Sequence, residues 1–252
     1  MHNFASTFFD LAFVTGENME AIKPKYGSLT GNQLKIIALL AMTCDHIGKQ
    51  LFPQITILQI FGRLAFPIFA YMIAEGCVYT KSKKKYLLSM IGLAAMCQIV
   101  YFVAMGSLYQ CVLVTFSFSI ALIFLLDYAK KNKKFLSYIG CVLGFIVTAF
   151  VCIVLPWILR NTDFVIDYGF WGVLLPVFVY LGKTKTAKLI LTSVILLMLG
   201  IWMGGLQWYA LFVPILMIFY SGKRGMIKLK HLFYIYYPLH LVGIYLLGLV
   251  VF

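Results

Sequence analysis

The feature that most constrains this chain is a recurrence of apolar runs, several of them about 20 residues long, which is enough for a helix to span a roughly 30 Å hydrocarbon core. Reading between the basic breaks gives nine runs, at 34–51, 57–79, 86–104, 110–127, 135–157, 168–182, 188–203, 207–220 and 232–251. In lipid every backbone amide must find its partner within the protein. Continuous Leu, Ile, Phe and Met suit helices and lack the alternation of barrel strands. The expected fold is therefore all-α, a polytopic transmembrane helical bundle of about nine spans. The sixth and eighth runs are short, and at Gly204–Gly205 a re-entrant hairpin can replace two spans. Composition agrees: 12% of residues are charged, against about 25% in soluble domains.

Residues 33–252 read as one integral membrane domain. Residues 1–32 form an N-terminal extension expected to be interfacial or disordered. Its apolar stretch NFASTFFDLAFVTG (3–16) holds Asp10, is too short to span, and lacks the basic start of a secretory signal.

A net charge of +13 raises the question of nucleic acid, and the distribution of charge answers it. All but three of the 21 basic residues fall in clusters. Lys23, Lys25 and Lys35 precede or open the first run. Lys81, Lys83, Lys84 and Lys85, then Lys130, Lys131, Lys133 and Lys134, then Lys183, Lys185 and Lys188, and finally Lys223, Arg224, Lys228 and Lys230 occupy every second connection. This is the positive-inside pattern, which predicts a cytoplasmic N-terminus and an outside C-terminus. No nucleic-acid role is expected; the partners are the bilayer and, for some clusters, a polyanionic cytosolic substrate. The six cysteines form no CxxC pair, so neither a metal site nor a disulfide framework is expected, and buried thiols serve as small packing residues.

Against this background the stretch LLAMTCDHIGKQLFP (39–53) stands out, because it places Asp45, His46 and Lys49 inside an apolar helix. An ionisable group near a bilayer centre costs at least a few kcal/mol. The first run travels outward, so Asp45 and His46 sit slightly beyond its midpoint, with Lys49 one turn further out. The second run returns inward and carries Arg63 in its outer half, with Pro67 expected to kink it. Glu75 lies about 18 Å deeper toward the cytosol, at 1.5 Å per residue. His240, in YIYYPLHL (234–241), comes near mid-depth on the last run. Asp45, His46, Arg63 and His240 can therefore meet at one level. Asp45 and His46 are about 100° apart round their helix, so Asp45 is better placed to pair with Arg63 than to orient His46. Proton relay, ion path and general-base catalysis all use these residue types.

Four blocks, LKIIALLAMTCDHIG (34–48), GRLAFPIFAYMIAEG (62–76), YSGKRG (220–225) and FYIYYPLHL (233–241), resemble the TraX family over about residues 33–250. That family is named for the conjugal-transfer protein that acetylates the pilin N-terminus, and it is similar to the membrane acyltransferases that acetylate extracytoplasmic sugars. The resemblance implies an acetyltransferase of the cell membrane, of the bacterial plasma membrane in particular. Acetyl-CoA would enter from the basic inner face, and a peptide or glycan acceptor from outside. On this reading Asp45, His46, Arg63 and His240 form the reaction centre, and Glu75, Lys223, Arg224 and Tyr237 are the expected donor-binding residues. No metal is implied. The competing expectation is a proton- or ion-coupled transporter, against which stands the lack of an internal repeat with matching broken helices.

Overall fold

The computed structural model describes residues 27–225 and 230–251; Lys23, Lys25, Lys228 and the apolar stretch 3–16 lie outside these. Among the described residues no strand forms, and each of the nine apolar runs is helical. Helix α1 spans Gly31–Gln50 and opens on a reciprocal cap: the Thr30 hydroxyl accepts from the Gln33 N–H, and the Gln33 side chain accepts from the Thr30 N–H at 2.8 Å. The second run divides into α2 (Thr56–Gly62) and α3 (Ala65–Tyr79). Next come α4 (Lys83–Met105), α5 (Val112–Asn132) and α6 (Phe135–Ala149), which continues through a π turn (Phe150–Val154) into α7 (Leu155–Ile158). Helices α8 (Gly169–Leu181) and α9 (Lys185–Met203) lead to a 3₁₀ segment (Gly205–Phe212), α10 (Val213–Ile218) and α11 (Lys230–Val251).

Five helical stretches are long and apolar enough to cross a membrane: Thr56–Tyr79, Lys83–Val103, Val112–Asn132, Phe135–Ile158 and Lys185–Met203. Gly169–Leu181, Gly205–Ile218 and Ile235–Gly248 are apolar but shorter. Helix α1 has 20 residues, diluted by Lys35, Asp45, His46 and Lys49. The eighth run gains reach from its geometry. Eight residues in 3₁₀ form and six in α form extend about 25 Å, against about 21 Å as α-helix throughout. The outward faces of α4 and α6 are apolar, with Leu88, Ile99, Phe102 and Val103 on one and Leu136, Leu143 and Val147 on the other all exposed. A contiguous surface of this kind belongs against lipid.

The break in the second run comes earlier than the sequence suggests. Pro67 sits inside α3 without ending it, and the helix is interrupted at Arg63–Leu64 instead. The physical reason is the fourth residue back: a proline ring offers no N–H to that carbonyl, here Arg63, and clashes with it. The interruption turns Arg63 out of the regular ladder, with its N–H shared between the Gln59 and Ile60 carbonyls.

Contacts gather the basic clusters at one end of the bundle. Lys83 bonds Asp127, which also accepts from the Tyr180 hydroxyl. Lys188 pairs with Glu75, and Lys185 donates to the Ile218 and Tyr220 carbonyls. Residues 29–32 are tied to 219–224 by backbone hydrogen bonds, including Gly31 N–H to Lys223 and Asn32 N–H to Arg224. At the opposite end the 107–110 connection is stitched to 163–167. This grouping is what up-and-down crossings with alternating basic connections require.

Helices α1 and α2 are in very close contact, and glycine makes it possible. A Cβ on Gly62 would lie 2.4 Å from Asp45 Cβ, and one on Gly48 2.9 Å from Leu58 Cβ. Gly62→Ala is expected to lower stability by about 1–3 kcal/mol through overpacking. Gly140→Ala, where nothing lies within 4 Å, should not. Thermal unfolding of the two variants in detergent provides the comparison.

Candidate functional site

Asp45 projects from α1 toward Gly62 and is buried. Its carboxylate takes two cations: Arg63 on one oxygen, and Lys49, one turn along α1, on the other at 2.6 Å. Arg63 is buried too and also reaches the Gln59 carbonyl. The structure therefore brings together the acid and guanidinium that depth alone placed at one level. Lys49 is the second partner, as its i+4 spacing on α1 allows.

His46, one residue on, faces the other way, toward α11. Its Nδ1 lies 3.0 Å from His240 Nε2, and His240 Nδ1 lies 3.1 Å from the Tyr236 carbonyl oxygen. A carbonyl only accepts, so His240 Nδ1 carries hydrogen. With both rings neutral, His240 Nε2 accepts and His46 Nδ1 donates. The lone pair of the chain then resides on His46 Nε2. His240 is buried and His46 is intermediate in exposure, and the basic nitrogen belongs to His46. Tyr236 stacks on His240 and bonds the Thr43 hydroxyl at 2.6 Å, and Tyr237 meets the imidazole edge-on. Tyr237, expected with the donor-binding set, thus stands in the wall of the histidine pair.

The other three expected donor-binding residues lie at the end of the bundle that gathers the basic clusters. Glu75 is buried against Lys188, so its charge is matched and it clamps α3 to α9. Its own negative charge gives an anionic donor nothing to bind there. Lys223 and Arg224 are exposed, and their carbonyls hold the first N–H groups of α1. From Asn32, bonded to Arg224, to His46 is about 21 Å along α1.

One acid escaped the sequence reading. Asp167, in the connection before α8, accepts from the Tyr109 hydroxyl, and its carbonyl accepts from Thr115 at 2.6 Å. Burial pushes its carboxyl up to about 6, opposed by the Tyr109 hydrogen bond and by Lys49 and Arg63, while Asp45 adds to the rise. It is therefore within electrostatic reach of the Asp45–Arg63 pair. Its neighbour Asp163, fully exposed, is held below the usual range by the Ser107 hydroxyl and the Leu108 N–H. The available signal was TDFVIDYG (162–169), two acids in one connection of a chain with only eight acids.

Removing one partner of a buried ion pair strands the other at a cost of about 3–5 kcal/mol. Asp45→Asn and Arg63→Gln should each destabilise strongly, and the double variant should lose less than the sum of the two. Thermal unfolding of the four proteins measures the coupling; strict additivity would mean that the pair does not interact.

Comparison with known proteins identifies the family. A family model described as TraX protein matches residues 30–248. Over 55 residues the chain is 42% identical to Uncharacterized protein RP591 of Rickettsia prowazekii (strain Madrid E), and this covers 22% of each protein. The matched region thus spans well under two thirds of that relative. No solved structure matches.

Proposed function

The chain belongs to the TraX family, and from that premise we propose that it is an integral membrane acetyltransferase. It moves an acetyl group from cytosolic acetyl-CoA to an amine or hydroxyl of an extracytoplasmic peptide or glycan. In this reading the protein crosses the bacterial plasma membrane several times, with its N-terminus in the cytoplasm and its C-terminus outside. The observation that carries the proposal is the hydrogen-bond chain from the Tyr236 carbonyl through His240 to His46, which leaves the basic nitrogen on His46.

The acceptor nitrogen or oxygen attacks the thioester carbonyl carbon while its proton passes to His46 Nε2. The attack gives a tetrahedral oxyanion, and Arg63, held by Asp45 on the α2 side of α1, fixes α2 against α1 beside the reacting groups. The C–S bond then breaks, the carbonyl re-forms, and CoA leaves with the proton that His46 took up. His240 steadies the tautomer of His46 throughout. Lys223 and Arg224 bind the donor's phosphates at the inner end, and pantetheine extends along α1 toward His46.

His46→Ala is expected to abolish transfer from radiolabelled acetyl-CoA while the protein stays folded and still binds CoA. Near-normal transfer would assign the base to His240 instead. Neutralising Lys223 and Arg224 together to Gln should raise the KM for acetyl-CoA and leave kcat roughly intact. The wild-type KM should also climb more steeply with salt than that of the variant, since ions screen the attraction the variant has lost. A KM equal to wild type would restrict these two side chains to setting orientation.

A further inference from the structure

Three buried side-chain polar atoms among the described residues have no hydrogen-bond partner, and two of them are the carboxamide oxygen and nitrogen of Gln207. Gln207 is 3% exposed, so its amide has given up water without gaining a protein partner. Buried amides are nearly always paired, above all in a protein surrounded by lipid.

Its position gives this meaning. At three residues per turn, Gln207, Ala210 and Val213 line one side of the 3₁₀ segment, and all three are buried. The segment packs against α9 and against α2, the short helix that ends beside Arg63. Runs of 3₁₀ beyond three or four residues are uncommon, and this one has eight. It begins where α9 ends, at the same end of the bundle from which α2 starts. Gln207 is thus about 4 Å in from that end and Arg63 about 10 Å in, by the two helical rises. Gln207 therefore stands at a level between the ion pair and that end of the bundle.

We infer that Gln207 is an acceptor-binding residue whose carboxamide pairs with a secondary amide of the acceptor, carried by a peptide backbone or by an N-acetylated sugar. A secondary amide presents one donor and one acceptor, the complement of what Gln207 offers. The place of this contact in catalysis rests on the acetyltransferase reading above, but the contact itself does not.

The test uses the full-length protein in lipid nanodiscs, wild type and Gln207→Leu, with tri-alanine, N-acetylglucosamine and glucose as probes. Without a probe, Q207L should melt above wild type, because an apolar side chain of similar size replaces an unpaired amide. Tri-alanine or N-acetylglucosamine should raise the melting temperature of wild type and not that of Q207L, while glucose moves neither. Which of the two succeeds tells peptide from sugar. In acetyl transfer, Q207L should raise the KM for that acceptor about tenfold, the weight of one hydrogen bond, and leave the KM for acetyl-CoA unchanged. If no probe moves wild type, or if the probes move both proteins alike, the inference is wrong. Gln207-dependent probe binding without any acetyl transfer would overturn the acetyltransferase reading and leave this inference standing.

Discussion

The structure depends on how Asp45 is neutralised. A carboxylate at that depth is tolerable only when paired, and the pairing dictates the local architecture. Arg63 reaches Asp45 because α2 packs against α1 without a side chain between them at Gly62. It is free to do so because Pro67 interrupts the helix four residues earlier, at Arg63 itself. The glycine, the proline and the charge pair thus work as one device. His46 benefits indirectly: with α2 and α3 occupying the Asp45 side of α1, its imidazole is left to the α11 side and to His240.

The other acids of the described residues are also tied. Glu75 is held by Lys188, Asp127 by Lys83 and Tyr180, Asp163 by Ser107 and Leu108, and Asp167 by Tyr109. A carboxylate held by a cation would forfeit that partner on accepting a proton, whereas burial moves Asp167 the other way, toward holding one. The imidazole pair and Asp167 are thus the groups placed to take up a proton. The ion pair is also why the proposed general base is His46 and not Asp45.

Apolar helices of unequal length form one bundle here because local backbone geometry adjusts their reach. The 3₁₀ segment lengthens the eighth run and brings Gln207 inward, and the π turn in the fifth run absorbs an extra residue ahead of Pro156. Irregular backbone at such depth is sustained where protein surrounds it.

Much of this was legible in the chain itself. The nine helical stretches follow from apolar length, and the gathering of basic clusters at one end follows from their alternate spacing. That Asp45, His46, Arg63 and His240 share one level follows from depth, since a helix of known rise converts residue number into height, and the roughly 100° between Asp45 and His46 favours Arg63 as the partner of Asp45. Depth carries no information about azimuth, so the partners that depend on rotation and neighbour choice were decided by the fold alone. Lys188 read as a topological charge until α9 turned it onto Glu75. Asp167 read as a loop residue until the 107–110 connection enclosed it, and the amide of Gln207 was one polar group in a short run until packing buried it. The sequence by itself determined which residues must escape lipid and at what height. The tertiary structure decided which of them face one another, because only packing fixes how each helix is rotated about its axis.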